Sequence, residues 1–128
     1  MKVLILAAVM FLTMQTALAG EYDGSKKLIC ATTEAMECAA GEECVKTRVN
    51  DIGAPKFLNI DFAQKAIAGP KRTTPIAFMD KGEDQIVLQG NELGFGWTIA
   101  LDQVSGDMIL TLVNRDGAFV LFGSCTPL

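Results

Sequence analysis

The sequence predicts an all-β domain: an antiparallel meander of about seven or eight strands, by the periodicity rule, curled into a small barrel that is closed or partly open. Three observations carry this. From Pro55 onward apolar and polar residues alternate with a period of two, and turn residues interrupt the alternation at short intervals. Four cysteines stand near the two ends of the chain, Cys30, Cys38 and Cys44 at one and Cys125 at the other. The first nineteen residues have the layout of an export signal.

In that leading segment Lys2 precedes an apolar run over residues 3–12, a more polar stretch follows at 13–16, and Ala17-Leu18-Ala19 supplies a small-x-small cleavage site before Gly20. The apolar run is about ten residues, well short of the ~20 that a membrane-spanning helix requires. The expected organisation is therefore a signal peptide at 1–19, cleaved after Ala19, and one disulfide-stapled β domain at 20–128, periplasmic or secreted, with no membrane span after cleavage. Removal of residues 1–19 from the 128-residue chain leaves 109, enough for one domain with a modest core.

In an oxidising compartment the four thiols pair. Joining Cys38 to Cys44 closes a short loop through Gly41 and leaves Cys30 to join Cys125, tying the two ends of the domain. On the chain-entropy account the long loop contributes about 4–5 kcal/mol and the short one about 2. Pairing Cys30 with Cys38 and Cys44 with Cys125 also makes a terminus-to-terminus link and stays open, but the first connectivity is preferred. A four-thiolate zinc site is disfavoured, because no Cys-x-x-Cys pair occurs.

Each element follows from its pattern. Strands are expected at residues 27–31 and 43–49. Between them 33–38 is rich in helix formers, with Thr32 or Thr33 as N-cap, and predicts one short helical turn. In residues 56–63 Leu58, Ile60 and Phe62 share a face; in 73–79 Thr74, Ile76 and Phe78 do. Ile86 with Leu88, then Trp97, Ile99 and Leu101, then Met108, Leu110 and Leu112 continue the pattern. The last strand, 118–125, is apolar on both faces through Phe119, Val120, Leu121 and Phe122, which predicts a central position. Gly, Asn and Asp in the breaks suit hairpin turns between antiparallel neighbours.

Composition excludes whole classes of function. The net charge is −4, and −5 once Lys2 is removed with the leader, which argues against nucleic acid as a partner. The chain has no histidine, so Ser-His and Cys-His nucleophiles and the commonest metal ligand are missing. No catalytic constellation, metal site or cofactor motif is recognisable. Asp80, Glu83, Asp84, Asp102 and Asp107 match no calcium loop, and paired carboxylates for glycosidic chemistry have no support beyond chance.

Two clusters are candidate binding residues. Phe95 and Trp97 stand in Gly94-Phe95-Gly96-Trp97, where the glycines let a partner's backbone approach an exposed ring; a lone Trp in a small domain is more ordinarily part of the packing. Lys71 and Arg72, with Lys65 nearby, form a basic cluster on an acidic protein; the plainer reading is a turn with flanking charges.

The N-terminal cysteine cluster, Arg72-Thr73-Thr74-Pro75-Ile76, Leu88-Gln89-Gly90-Asn91-Glu92, Gly96-Trp97-Thr98-Ile99 and the ending Phe122-Gly123-Ser124-Cys125-Thr126-Pro127-Leu128 together resemble a group of short exported proteins of Gram-negative bacteria without an assigned function. The resemblance covers most of the mature chain. It implies a bacterial periplasmic setting and carries over no catalytic residues. The expected function is a non-catalytic binding domain that engages another envelope or secreted protein, for instance as an inhibitor of a secreted hydrolase. The alternative is a carrier of a small apolar ligand in the barrel. A carboxylate-based enzyme ranks third.

Overall fold

The structure is a computed structural model that describes residues 21–128; the expected signal peptide lies outside the described residues. Ten strands form one antiparallel sheet: β1 (Leu28–Cys38), β2 (Val45–Thr47), β3 (Phe57–Asp61), β4 (Ala66–Ala68), β5 (Thr73–Pro75), β6 (Phe78–Lys81), β7 (Gln85–Glu92), β8 (Phe95–Asp102), β9 (Asp107–Asn114) and β10 (Gly117–Pro127). The strand path is β5-β4-β3-β1-β10-β9-β8-β7-β6, with β2 beside β1.

The sheet curls into a half-barrel, and the two ends of its path meet on one strand. β5 and β6 are consecutive in the chain, and β7 receives both. It pairs with β6 at its start, and farther along its Gln89 carbonyl accepts the Ala77 N–H at 2.8 Å and its Asn91 carbonyl the Thr74 hydroxyl at 3.2 Å. Bringing edges together in this way removes exposed ladder groups that would otherwise template aggregation.

The inward face is the one the alternation marked. Leu28, Ile60, Ile86, Leu88, Ile99, Leu101, Met108 and Leu121 are fully buried, and Leu58, Phe62, Ile67, Ile76, Trp97 and Leu110 join them. Burying each large apolar side chain stabilises the fold by roughly 1.5–3 kcal/mol. Both disulfides form in the arrangement Cys30–Cys125 and Cys38–Cys44. Cys30 and Cys125 are direct cross-strand partners in the β1–β10 ladder, so first and last strands are both hydrogen-bonded and covalently joined. β10 takes the central position, between β1 and β9.

Three expectations need correction. No helical turn exists at residues 33–38, which instead complete β1. Helix propensity there is overridden by pairing on both sides: Glu34, Ala35, Met36, Glu37 and Cys38 pair with β10, and Ala35, Met36 and Glu37 also pair with β2. A register shift between Thr32 and Glu34 changes the alternation, so that Leu28, Cys30 and Thr32 face inward before it and Ala35 after it. The strand count is ten rather than seven or eight, because the short β4 carries too few residues to show a period and residues 73–79 divide into β5 and β6 at Ile76 and Ala77. That break also corrects Phe78, expected inside with Thr74 and Ile76 but 53% exposed.

Candidate functional site

The two predicted binding clusters lie in different surroundings. Trp97 is only 5% exposed, with its ring over Gly90 on the neighbouring strand, so it is packing and not a surface contact. Phe95 is half-buried and rests against Phe119, ring centroids 6.2 Å apart. The structure therefore does not bring these two aromatics together as one exposed platform.

Lys71 and Arg72 do line a cavity. It is a cleft of about 410 Å³ between the segment that precedes β3 and the hairpin joining β4 to β5. Ala54, Pro55, Leu58 and Ile67 give it an apolar floor, and Lys56, Lys71 and Arg72 give it a cationic rim. The one acid of the lining, Glu92, is engaged by Arg72, whose Nε approaches its carboxylate at 3.2 Å.

A second feature was not legible from the sequence. On the outer face of the sheet, register places Phe122, Ile109, Ala100 and Val87 side by side across β10, β9, β8 and β7. The neighbouring row is Val120, Thr111, Thr98 and Gln89, and it ends on Phe78 of β6. Neither row contains a charge within β7 to β10; the first is flanked by Asp80 of β6 beside Val87 and by Glu34 of β1 beside Phe122. Phe122, Ile109 and Phe78 are 39%, 44% and 53% exposed. The first row borders a groove of about 630 Å³ lined by Ala100 and Ile109 together with Glu83, Asp84, Asp102 and Asp107, and by no Lys or Arg.

The groove's acids are held in place by local chemistry. The Asp102 carboxylate accepts the backbone N–H groups of Ser105, at 2.9 Å, and Val104, at 2.7 Å, which caps the turn between β8 and β9. These bonds, that of Ser105 foremost, hold its pKa below the ordinary value of 3.8. Asp107 accepts the Ser124 hydroxyl at 2.9 Å. Because the fold keeps Asp102 ionised to lower pH than the unfolded chain does, its stabilisation is complete at neutral pH. It begins to fall as pH drops past 3.8 and is gone below the folded value. Asp102→Ala is thus expected to lower Tm at pH 7, with the gap to the wild type narrowing as pH falls below 3.8; thermal melts across this range check it.

Fold and sites together define a small, disulfide-tied β half-barrel with one basic cleft and one apolar face ending in an acidic groove. Disulfides of this kind persist in oxidising, extracytoplasmic surroundings. Among the described residues no helix is long and apolar enough to cross a membrane. Comparison with protein-family models, with curated proteins and with solved structures finds no match.

Proposed function

We propose that this chain is an exported, non-catalytic binding domain of the bacterial envelope that engages another envelope or secreted protein. The reading takes residues 1–19 as the signal peptide, cleaved after Ala19, and the periplasm as the destination. The observation that carries it is the uncharged apolar row Val87, Ala100, Ile109 and Phe122 running into the groove of Glu83, Asp84, Asp102 and Asp107.

A contiguous apolar face on a small domain marks an interaction surface, and a border of one charge sign selects the partner. The partner is a protein whose apolar contact is flanked by Lys or Arg. A second copy of this chain fits poorly, because it brings a net negative charge to the same acidic border. Two disulfides and an interior filled by its own side chains favour a surface that is ordered before binding, which lowers the ordering cost.

Affinity capture from periplasmic extract of the native host tests this with three baits: wild type, Ile109→Lys/Phe122→Lys and Lys71→Glu. The expected result is one basic protein recovered stoichiometrically by wild type and Lys71→Glu, lost with the double variant and released by salt. Recovery of no stoichiometric protein, or of one that the double variant retains, overturns the reading.

A further inference from the structure

We infer that the basic cleft is a separate site for a small amphiphilic carboxylate, an anionic head on an apolar body, independent of the protein-binding face. The two lie at opposite ends of β7: Gln85 lines the acidic groove and Glu92 the cleft. Seven residue steps at about 3.3 Å separate them by roughly 23 Å.

Three features of the cleft point to that ligand class. The first is its construction. Thr32, 3% exposed, donates its hydroxyl to the carbonyl of Pro55 at 2.8 Å, and the Thr32 N–H reaches the carbonyl of Lys56 at 2.9 Å. One wall is thereby fixed to β1. Thr74, 8% exposed, fixes the other through its bond to Asn91. Hydrogen bonds within the 48–54 turn, Asp51 to Arg48, Gly53 to Asn50 and Ala54 to Val49, hold the rest of the rim with Val49 buried beneath. The cleft is formed before any ligand arrives.

The second feature is charge. The chain is acidic overall, yet three cations converge on this cleft. Among the described residues Lys56 and Lys71 make no salt bridge. Arg72 spends its Nε on Glu92, and that pair leaves no uncompensated acid in the lining. With Arg72 paired to Glu92, an anionic group gains chiefly from Lys56 and Lys71 and meets no unpaired acid.

The third is the floor. Leu58 and Ile67 are inward core residues whose edges the cleft reaches, with Ala54, Pro55 and Pro70 around them. A bare inorganic anion leaves this surface wet, and a neutral hydrocarbon leaves the cations unused. A volume of about 410 Å³ suits a small organic molecule.

The test is titration of the isotope-labelled, disulfide-bonded exported protein with octanoate, octanol and inorganic phosphate, followed by amide shifts. Octanoate is expected to shift residues 50–56 and 69–72 and to bind about tenfold or more tighter than octanol or phosphate, with affinity falling as salt rises. Lys56→Glu/Lys71→Glu is expected to weaken octanoate by at least about tenfold, while Lys65→Glu, outside the cleft, leaves it unchanged. These rim positions are exposed, so the variants retain the fold. Equal binding of octanol, equal binding of phosphate, shifts elsewhere, or no saturable shift would each overturn the assignment. None of these outcomes bears on capture of a protein by the outer face.

Discussion

Replacing Cys30 and Cys125 together by alanine is expected to lower the unfolding free energy by about 4–5 kcal/mol, against about 2 for the same change at Cys38 and Cys44. The difference lies in the unfolded chain. The first bridge closes a loop with a sequence separation of 95, the second one of 6, and the entropy withheld from the denatured ensemble grows with the logarithm of that length. Cys30 already faces Cys125 across a ladder that runs from Leu28↔Pro127 to Cys38↔Ala118. Loss of the bridge therefore leaves the β1–β10 pairing geometrically possible and raises the cost of finding it. Paired urea unfolding curves check this: the Cys30/Cys125 variant should show the larger fall in midpoint and a larger m value, because its unfolded chain is less confined. Equal losses for the two variants would remove loop closure as the source of the difference. A drop of this size is a large share of the ~5–15 kcal/mol that holds a typical domain together, so a reducing compartment should yield a markedly less stable protein.

Much of this fold is visible in the chain because alternation and burial coincide. Leu58, Ile60 and Phe62, Trp97, Ile99 and Leu101, and Met108 and Leu110 sit inside as their spacing requires. The disulfide pairing was one of two that spacing allowed, and only register decides it, by setting Cys30 opposite Cys125. What sequence misses is what tertiary pairing imposes. Residues 33–38 have the composition of a helix but lie between two strands that claim their backbone bonds. Phe78 turns outward because the chain bends at Ile76 and Ala77 to pass from β4's side of the sheet to β7's. The sites divide in the same way. Lys71 and Arg72 stand out as cations on an acidic chain, but Lys56 and Leu58 reach the cleft from β3 and the segment before it, and only tertiary pairing sets them beside the β4–β5 turn. The outer row joins residues from four strands; alternation sets Ile109 opposite Met108 and Leu110, but in β10, apolar on both faces, no local pattern distinguishes Phe122 from a core position.

Trp97 gives the second large effect, and Gly90 is the other half of it. They are direct partners between β7 and β8, both on the inward face. The indole lies where a side chain on residue 90 would be: a Cβ there would meet Trp97 Cζ2, with Cε2 at 2.6 Å and the Pro75 carbonyl at 2.9 Å. Glycine is needed for space, since residue 90 has no positive φ. Trp97→Ala is expected to cost about 3–5 kcal/mol, the range for emptying a large aromatic site. Trp97→Phe should cost less, because it keeps an aromatic body and removes an indole N–H that has no hydrogen-bond partner among the described residues. Gly90→Ala forces the ring outward and is expected to cost about 1–3 kcal/mol. Its cost should shrink, but not vanish, in a Trp97→Ala background, since the Pro75 carbonyl remains. Pro75 ends β5, next to the point where the sheet closes on β7, so the residual strain falls on that closure. Gly96, immediately before Trp97 on β8, provides the control. A Cβ there meets nothing closer than the Val113 carbonyl at 3.9 Å, so Gly96→Ala should change stability by no more than about 0.5 kcal/mol. Trp97 is the only tryptophan, and its fluorescence reads the packing directly. The emission should move to longer wavelength in Gly90→Ala and stay unchanged in Gly96→Ala. Equal effects at the two glycines would mean that the backbone, and not the room left for the indole, sets the requirement for glycine at position 90.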